Sequence, residues 1–96
     1  ERNAIYCGAR FGIATDGTTM YTQSVPCMEC GRGIINAGIV KLVVHKQTED
    51  LFSVHTQWIE DCNLSKSMLE EAGVEIQVLN APLGKWSFVN GKVHVV

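Results

Sequence analysis

Small and apolar residues open the chain at helical spacing. Ala4, Ile5, Gly8, Phe11 and Gly12 fall on one face, which predicts a helix over 1–12 with Gly12 as its stop. Thr15-Asp16-Gly17-Thr18 reads as a turn, and 19–22, rich in β-formers, as a short strand. Pro26 suits the first position of a second helix, where a missing N–H does no harm. From there positions 27, 30, 31, 34, 35 and 38 form one continuous stripe that Gly38 ends. The β-branched run over 39–44 reads as a buried strand. Residues 45–55 are polar and mixed and read as a loop. A third helix follows, capped by Thr56, with Glu60 and Asp61 in its early turns and Trp58, Cys62, Ser65, Leu69 and Ala72 on one face. Gly73 stops it and a strand over 74–79 succeeds it. Twice, then, a helix runs through Ala-Gly into a β-branched strand, at Ala37-Gly38-Ile39 and Ala72-Gly73-Val74. Helices alternating with strands in this way predict an α/β fold on a mostly parallel sheet. Pro82 and Gly84 break the pattern, and 88–95 reads as a hairpin around Asn90-Gly91.

Composition narrows the class. Ninety-six residues, 46% hydrophobic and 19% charged, fit one small globular domain over 1–96. No apolar run approaches the roughly 20 residues that span a bilayer, so no membrane partner is expected. The net charge of −2 lacks the basic footprint of a protein that grips a long phosphate backbone. A small substrate fits that charge better than a nucleic acid. The cysteines at 7, 27, 30 and 62 show no small-scaffold disulfide pattern, which suits a reducing, cytoplasmic setting. The chain starts with Glu1-Arg2-Asn3, inside an expected helix and without a methionine, so the natural protein is expected to extend further back.

Candidate chemistry concentrates in Ser24-Val25-Pro26-Cys27-Met28-Glu29-Cys30. Three residues of helix separate the two cysteines, so both sulfurs point the same way, on a first turn whose free N–H groups favour thiolates. Such a pair can be a redox disulfide, half of a structural zinc site, or part of a catalytic one. Zinc wants four ligands. The chain offers no second close pair: Cys7 and Cys62 stand alone, and His45, His55 and His94 are scattered. A catalytic site would need one more protein ligand, a water, and a carboxylate to handle protons.

Pro26-Cys27-x-x-Cys30, with Glu1-Arg2-Asn3-Ala4 upstream, resembles the cytidine/deoxycytidylate deaminase superfamily, whose signature is H-x-E followed by P-C-x-x-C. Asn3-Ala4, Tyr21 and the run Ile34-Ile35-Asn36-Ala37-Gly38-Ile39 are most similar to the deoxycytidylate (dCMP) deaminase branch. The resemblance covers roughly 1–79. It implies a three-layer α/β/α fold with a mostly parallel mixed sheet, of which three of the family's five strands are expected here. It implies Zn2+ as cofactor, Cys27 and Cys30 as metal ligands, and Glu1 as the catalytic proton shuttle. The family's His would fall two positions before Glu1, so this chain resembles the C-terminal part of a deaminase and is expected to be inactive alone. Asn3 would meet the sugar, and Ser24 and Pro26 would border the base pocket. The implied reaction is hydrolytic deamination of the small nucleotide dCMP to dUMP and ammonia, by a homo-oligomer. Alternatives are a tRNA-adenosine or free-base deaminase of the same superfamily, or a non-catalytic zinc-binding module. Cys7 and Cys62 read as packing residues, His45, His55 and His94 as surface or loop residues, and Trp58 and Trp86 as packing or interface aromatics.

Overall fold

The computed structural model describes residues 1–52, 56–89 and 91–96. Its elements run α1 (Arg2–Arg10), β1 (Thr19–Thr22), α2 (Met28–Asn36), β2 (Lys41–His45), α3 (Lys46–Phe52), α4 (Thr56–Glu71), β3 (Glu75–Leu79), β4 (Trp86–Val89) and β5 (Lys92–Val95). Strands β1, β2 and β3 form a parallel sheet in that order, with Leu42 aligned to both Met20 and Ile76. β4 and β5 pair antiparallel as a separate two-stranded sheet. The α/β class with a parallel sheet is therefore as the alternating pattern predicts.

Strand order explains where the helices lie. Each crossover advances the sheet by one strand in the same direction, and right-handed crossovers advancing one way put their helices on one face. Met20, Leu42, Val44 and Ile76 point to that face. They pack with Ile5 of α1, Ile34 of α2 and Cys62 and Leu69 of α4. Ile34, Leu42, Val44 and Leu69 are fully shielded from solvent. On the opposite face Tyr21 is exposed and Val43 is buried. The described residues thus form two of the three expected layers, the sheet and one helical layer.

Both Ala-Gly junctions work as the sequence suggests. At Gly38 (φ 76°) the N–H bonds to Ile35 O and the next N–H reaches back to Ile34 O. At Gly73 (φ 86°) the same pair of bonds runs to Glu70 O and Leu69 O. These are Schellman closures, and the left-handed residue at their centre turns the chain straight into the next strand. Gly31 serves a different purpose. An added Cβ there would stand 2.6 Å from Ser65 Oγ and 3.1 Å from Met68 Cε, so its bareness sets how closely α2 approaches α4.

Several expectations shift. Helix α2 begins at Met28, with Cys27 as its N-cap and Pro26 ahead of the helix, because Cys27 is extended (ψ 171°). The expected loop at 45–55 contains helix α3. Its seven residues carry too short an apolar stripe to read as a helix, and tertiary contacts order it. Thr48 is buried there, and Lys46 pairs with Asp50 at 2.8 Å. The faces assigned to α1 and α4 are narrower than expected: Phe11, Trp58 and Ala72 are exposed, whereas Gly8, Cys62, Ser65 and Leu69 are buried. The hairpin forms with β4 starting two residues early, at Trp86. Asn90, His55 and the Thr56 side chain lie outside the described residues.

The Gly31 contact gives a direct test. Gly31→Ala must push Ser65 aside in a packed α2–α4 seam and should cost about 1–3 kcal/mol. Gly73→Ala meets no atom within 4 Å and should cost only the left-handed backbone term, about 1–2 kcal/mol. Urea denaturation of both variants checks the two values.

Candidate active site

The segment between β1 and α2 ends on Cys27, with Cys30 on the first turn of α2, and its backbone is held by side chains of α3 and α4. Glu49 Oε2 of α3 accepts the Val25 N–H at 2.7 Å. Cys62 Sγ of α4 donates to Val25 O at 3.3 Å. Ser65 Oγ, also of α4, donates to Cys27 O at 3.2 Å. Asp61 Oδ2 accepts the Met28 N–H at 2.9 Å. Val25 is buried and Pro26, which has no N–H to satisfy, is fully buried between these partners. A short loop that would otherwise leave several buried polar atoms unpaired is thereby satisfied by side chains.

Cys27 and Cys30 then come together at the start of α2, both as free thiols. Cys30 is 8% exposed, and Cys27 is half-buried. Burial pushes the Cys30 thiol up, a hydrogen bond from the Arg2 backbone pulls it back, and the neighbouring Cys27 and Glu1 push it up again. The expectation that the helix start favours thiolates is offset at Cys30 by that burial. The Met28 N–H of the first turn is also committed to Asp61. Helix α1 approaches α2 here, with Ile5 Cδ1 at ordinary contact distance, 3.5 Å, from where a Cβ on Gly33 would stand. Arg2 Nη1 adds a bond to Glu29 Oε1 at 2.8 Å, in an exposed pair worth little energetically.

Glu1, exposed at the start of α1, lines an open cavity of about 310 Å3 with Ala4, Met20, Tyr21, Thr22, Gln23 and Ser24. The volume lies at the lower end of small-ligand pockets, about 300–1,000 Å3. Of the residues expected at a site, the structure puts Glu1 and Ser24 on one cavity and the Cys27–Cys30 pair next to Glu1. Asn3 is exposed on the first turn of α1 and does not line the cavity. Pro26 is fully buried.

Two free sulfurs at one helix start suit a thiophilic metal. Among the described residues no group of three or more His, Cys, Asp or Glu is placed to hold a metal ion. Elsewhere His45 is committed to structure. Its Nε2 bonds Ala81 O and its Nδ1 bonds Thr48 Oγ1, each at 2.8 Å, which ties the end of β2 to the segment after β3.

Sequence reasoning missed the frame made by Glu49, Asp61 and Ser65. Glu49 lay in a presumed loop, and Asp61 read as a helix-dipole charge. Ser65 carried a usable signal, since a hydroxyl on an apolar helical face needs a buried partner.

Helices packed on a parallel three-stranded sheet are the architecture of a cytidine-deaminase-like α/β domain. The chain belongs to the MafB19-like deaminase family, whose model matches residues 1–80. It is 36% identical over 76 residues to an uncharacterized deaminase in the luxG 3' region of Aliivibrio fischeri, covering 79% of this chain and 48% of that protein. It is 34% identical over 90 residues to the deoxycytidylate deaminase of Enterobacteria phage T2, covering 94% of this chain and 42% of that protein. ComE operon protein 2 of Bacillus subtilis is 30% identical over 76 residues, covering 73% of this chain and 40% of that protein. The chain thus spans less than half the length of these relatives. The resemblance to the cytidine deaminase-like superfamily, close to dCMP deaminase, holds. No helix among the described residues is long and apolar enough to cross a membrane.

Cys62 gives a pH test of this packing. Burial chiefly, then Glu49 and Asp61, push its thiol from 9.0 up to about 11. Between these values the unfolded chain has released the proton that the folded chain still holds. Cys62 therefore contributes its full stabilisation below about pH 9 and loses it as pH rises towards 11. Urea denaturation from pH 8 to 11 should show stability falling, and Cys62→Ala should flatten that fall.

Proposed function

We propose that the protein is a zinc-dependent hydrolytic deaminase of dCMP, with Glu1 as proton carrier and Cys27 and Cys30 as zinc ligands. The observation that carries this reading is Glu1 on the wall of an open cavity of about 310 Å3 while its charge also acts on the Cys30 thiol. The deoxycytidylate deaminase relative supports the choice of substrate. The reading needs a further zinc ligand, which the family pattern supplies as a His two positions ahead of Glu1.

Zinc, when bound, supplies Lewis-acid activation of water at neutral pH. The protein's own groups do the rest. Loss of two thiol protons makes the ligand pair anionic, and for Cys30 this reverses the effect of burial. Glu1 takes a proton from the attacking water, gives it to the ring nitrogen, and then serves the departing amine. One carboxylate can do all three because the cavity wall holds it within reach of a bound ring. Ser24 and Gln23 border the base from the β1 side. Pro26, with its ring buried, acts by keeping that wall in place. Asn3, exposed two residues after Glu1, is the sugar-facing residue in this reading. The full enzyme works as a cytoplasmic homo-oligomer.

Glu1→Gln in the full-length protein should keep zinc and dCMP binding but lose turnover at the upper end of the general acid–base range, about 10²–10⁴-fold. Cys27→Ala should lose zinc instead. Zinc content, dCMP affinity and ammonia release from dCMP check both variants. Turnover of Glu1→Gln within a few-fold of wild type would sink the assignment. Ammonia release from tRNA adenosine or a free base, in place of dCMP, would move the substrate elsewhere in the superfamily.

A further inference from the structure

Cys27 occupies a position whose side chain ordinarily has another task. An N-cap residue usually turns its side chain back onto the free N–H groups of its own helix. Cys27 makes no such bond. The cap is supplied across the fold instead, by Asp61 of α4, whose Oδ2 accepts the Met28 N–H at 2.9 Å. The carbonyl of Cys27 itself is pinned by Ser65 Oγ at 3.2 Å, one helical turn further along α4. The two bonds act on one peptide group, one on its carbonyl and the other on its N–H. They fix the plane of the Cys27–Met28 peptide from both edges. Gly31 allows α4 close enough to make them, because any side chain there would meet Ser65.

We infer that Asp61 is a positioning residue for the metal-binding thiols: it caps α2 in place of Cys27 and so leaves the Cys27 sulfur free to face Cys30. This inference rests on the zinc reading above and adds a residue to it. Asp61 touches neither the metal nor the substrate. Its charge is secondary to its geometry, since the required element is one acceptor oxygen on the Met28 N–H. Without that acceptor the first turn of α2 loses its cap and the Cys27 peptide can rotate. The two sulfurs are then no longer held at a common separation, and a metal must order them itself.

The test measures zinc affinity of the full-length protein by competition with a chromogenic chelator, together with hydrogen exchange at the Met28 amide without metal. Asp61→Ala should weaken zinc binding by about 10–100-fold, the range for residues that orient metal ligands, and should speed Met28 exchange. Asp61→Asn keeps an acceptor oxygen and should stay within about threefold of wild type on both readouts. Val74→Ala, a core change distant from the loop, should lower the melting temperature and leave zinc affinity unchanged, which separates positioning from general stability. Ser65→Ala breaks the other edge of the same peptide and should weaken zinc severalfold, so the frame remains testable if Asp61→Ala does not fold. Wild-type protein that binds no zinc overturns the zinc reading and this inference together. Zinc binding by wild type with Asp61→Ala and Ser65→Ala unchanged overturns the inference alone, as does Asp61→Asn weakening as much as Asp61→Ala.

Discussion

The backbone between Val25 and Met28 is the constraint on which the rest of the structure turns. It leaves the sheet at the end of β1, must start a helix within a few residues, and does so in the protein interior. Its peptide groups cannot reach solvent freely, and an unpaired buried amide or carbonyl costs about 1–3 kcal/mol. Helices α3 and α4 meet that demand with Glu49, Asp61, Cys62 and Ser65. The position of the two candidate metal ligands is therefore decided by helices α3 and α4, which follow them in the chain.

The one-sided packing follows from connectivity and serves the same end. Because β1, β2 and β3 add in one direction, the crossover helices α2 and α4 share one face and touch, and α1 packs there against α2. Helices on alternate faces could not have brought the start of α1, the start of α2 and the first half of α4 to one point. The bare Gly31 against Ser65 lets α2 and α4 close to the distance the polar bonds require. The Schellman closures at Gly38 and Gly73 return the chain to the sheet without a long loop. Register is thus maintained from Thr19 opposite Lys41 to His45 opposite Leu79.

Placing the cysteines at a helix start has two opposing electrostatic effects. Backbone N–H groups and the helix dipole favour a thiolate, whereas burial and the neighbouring Glu1 push the Cys30 thiol up. Burial and Glu1 thus oppose the thiolate that a metal would require at Cys30. Metal binding and proton release are then one event. Cys62, buried nearby and pushed to about 11, stays a thiol and donates to Val25 O. Three neighbouring cysteines therefore divide into two available ligands and one structural donor, separated by burial and hydrogen bonding.

Much of this was legible in the sequence. Apolar spacing gives the three longer helices and the parallel strands, because helical and extended periodicities differ and Ala-Gly ends the helices into strands. The Pro26-Cys27-x-x-Cys30 stretch and the upstream Glu1 mark the candidate chemistry without any coordinates. The short helix α3 was not legible, since seven mixed polar residues carry too little pattern and are ordered by contacts with β2 and the β1–α2 segment. Nor was the split of α4's polar residues into solvated ones and Asp61 and Ser65, which turn inward. Local sequence records what each segment prefers by itself. Only the tertiary structure decided which side chains satisfy the backbone of the cysteine loop, because that depends on how closely α2 and α4 approach, a distance set by packing between residues more than thirty positions apart.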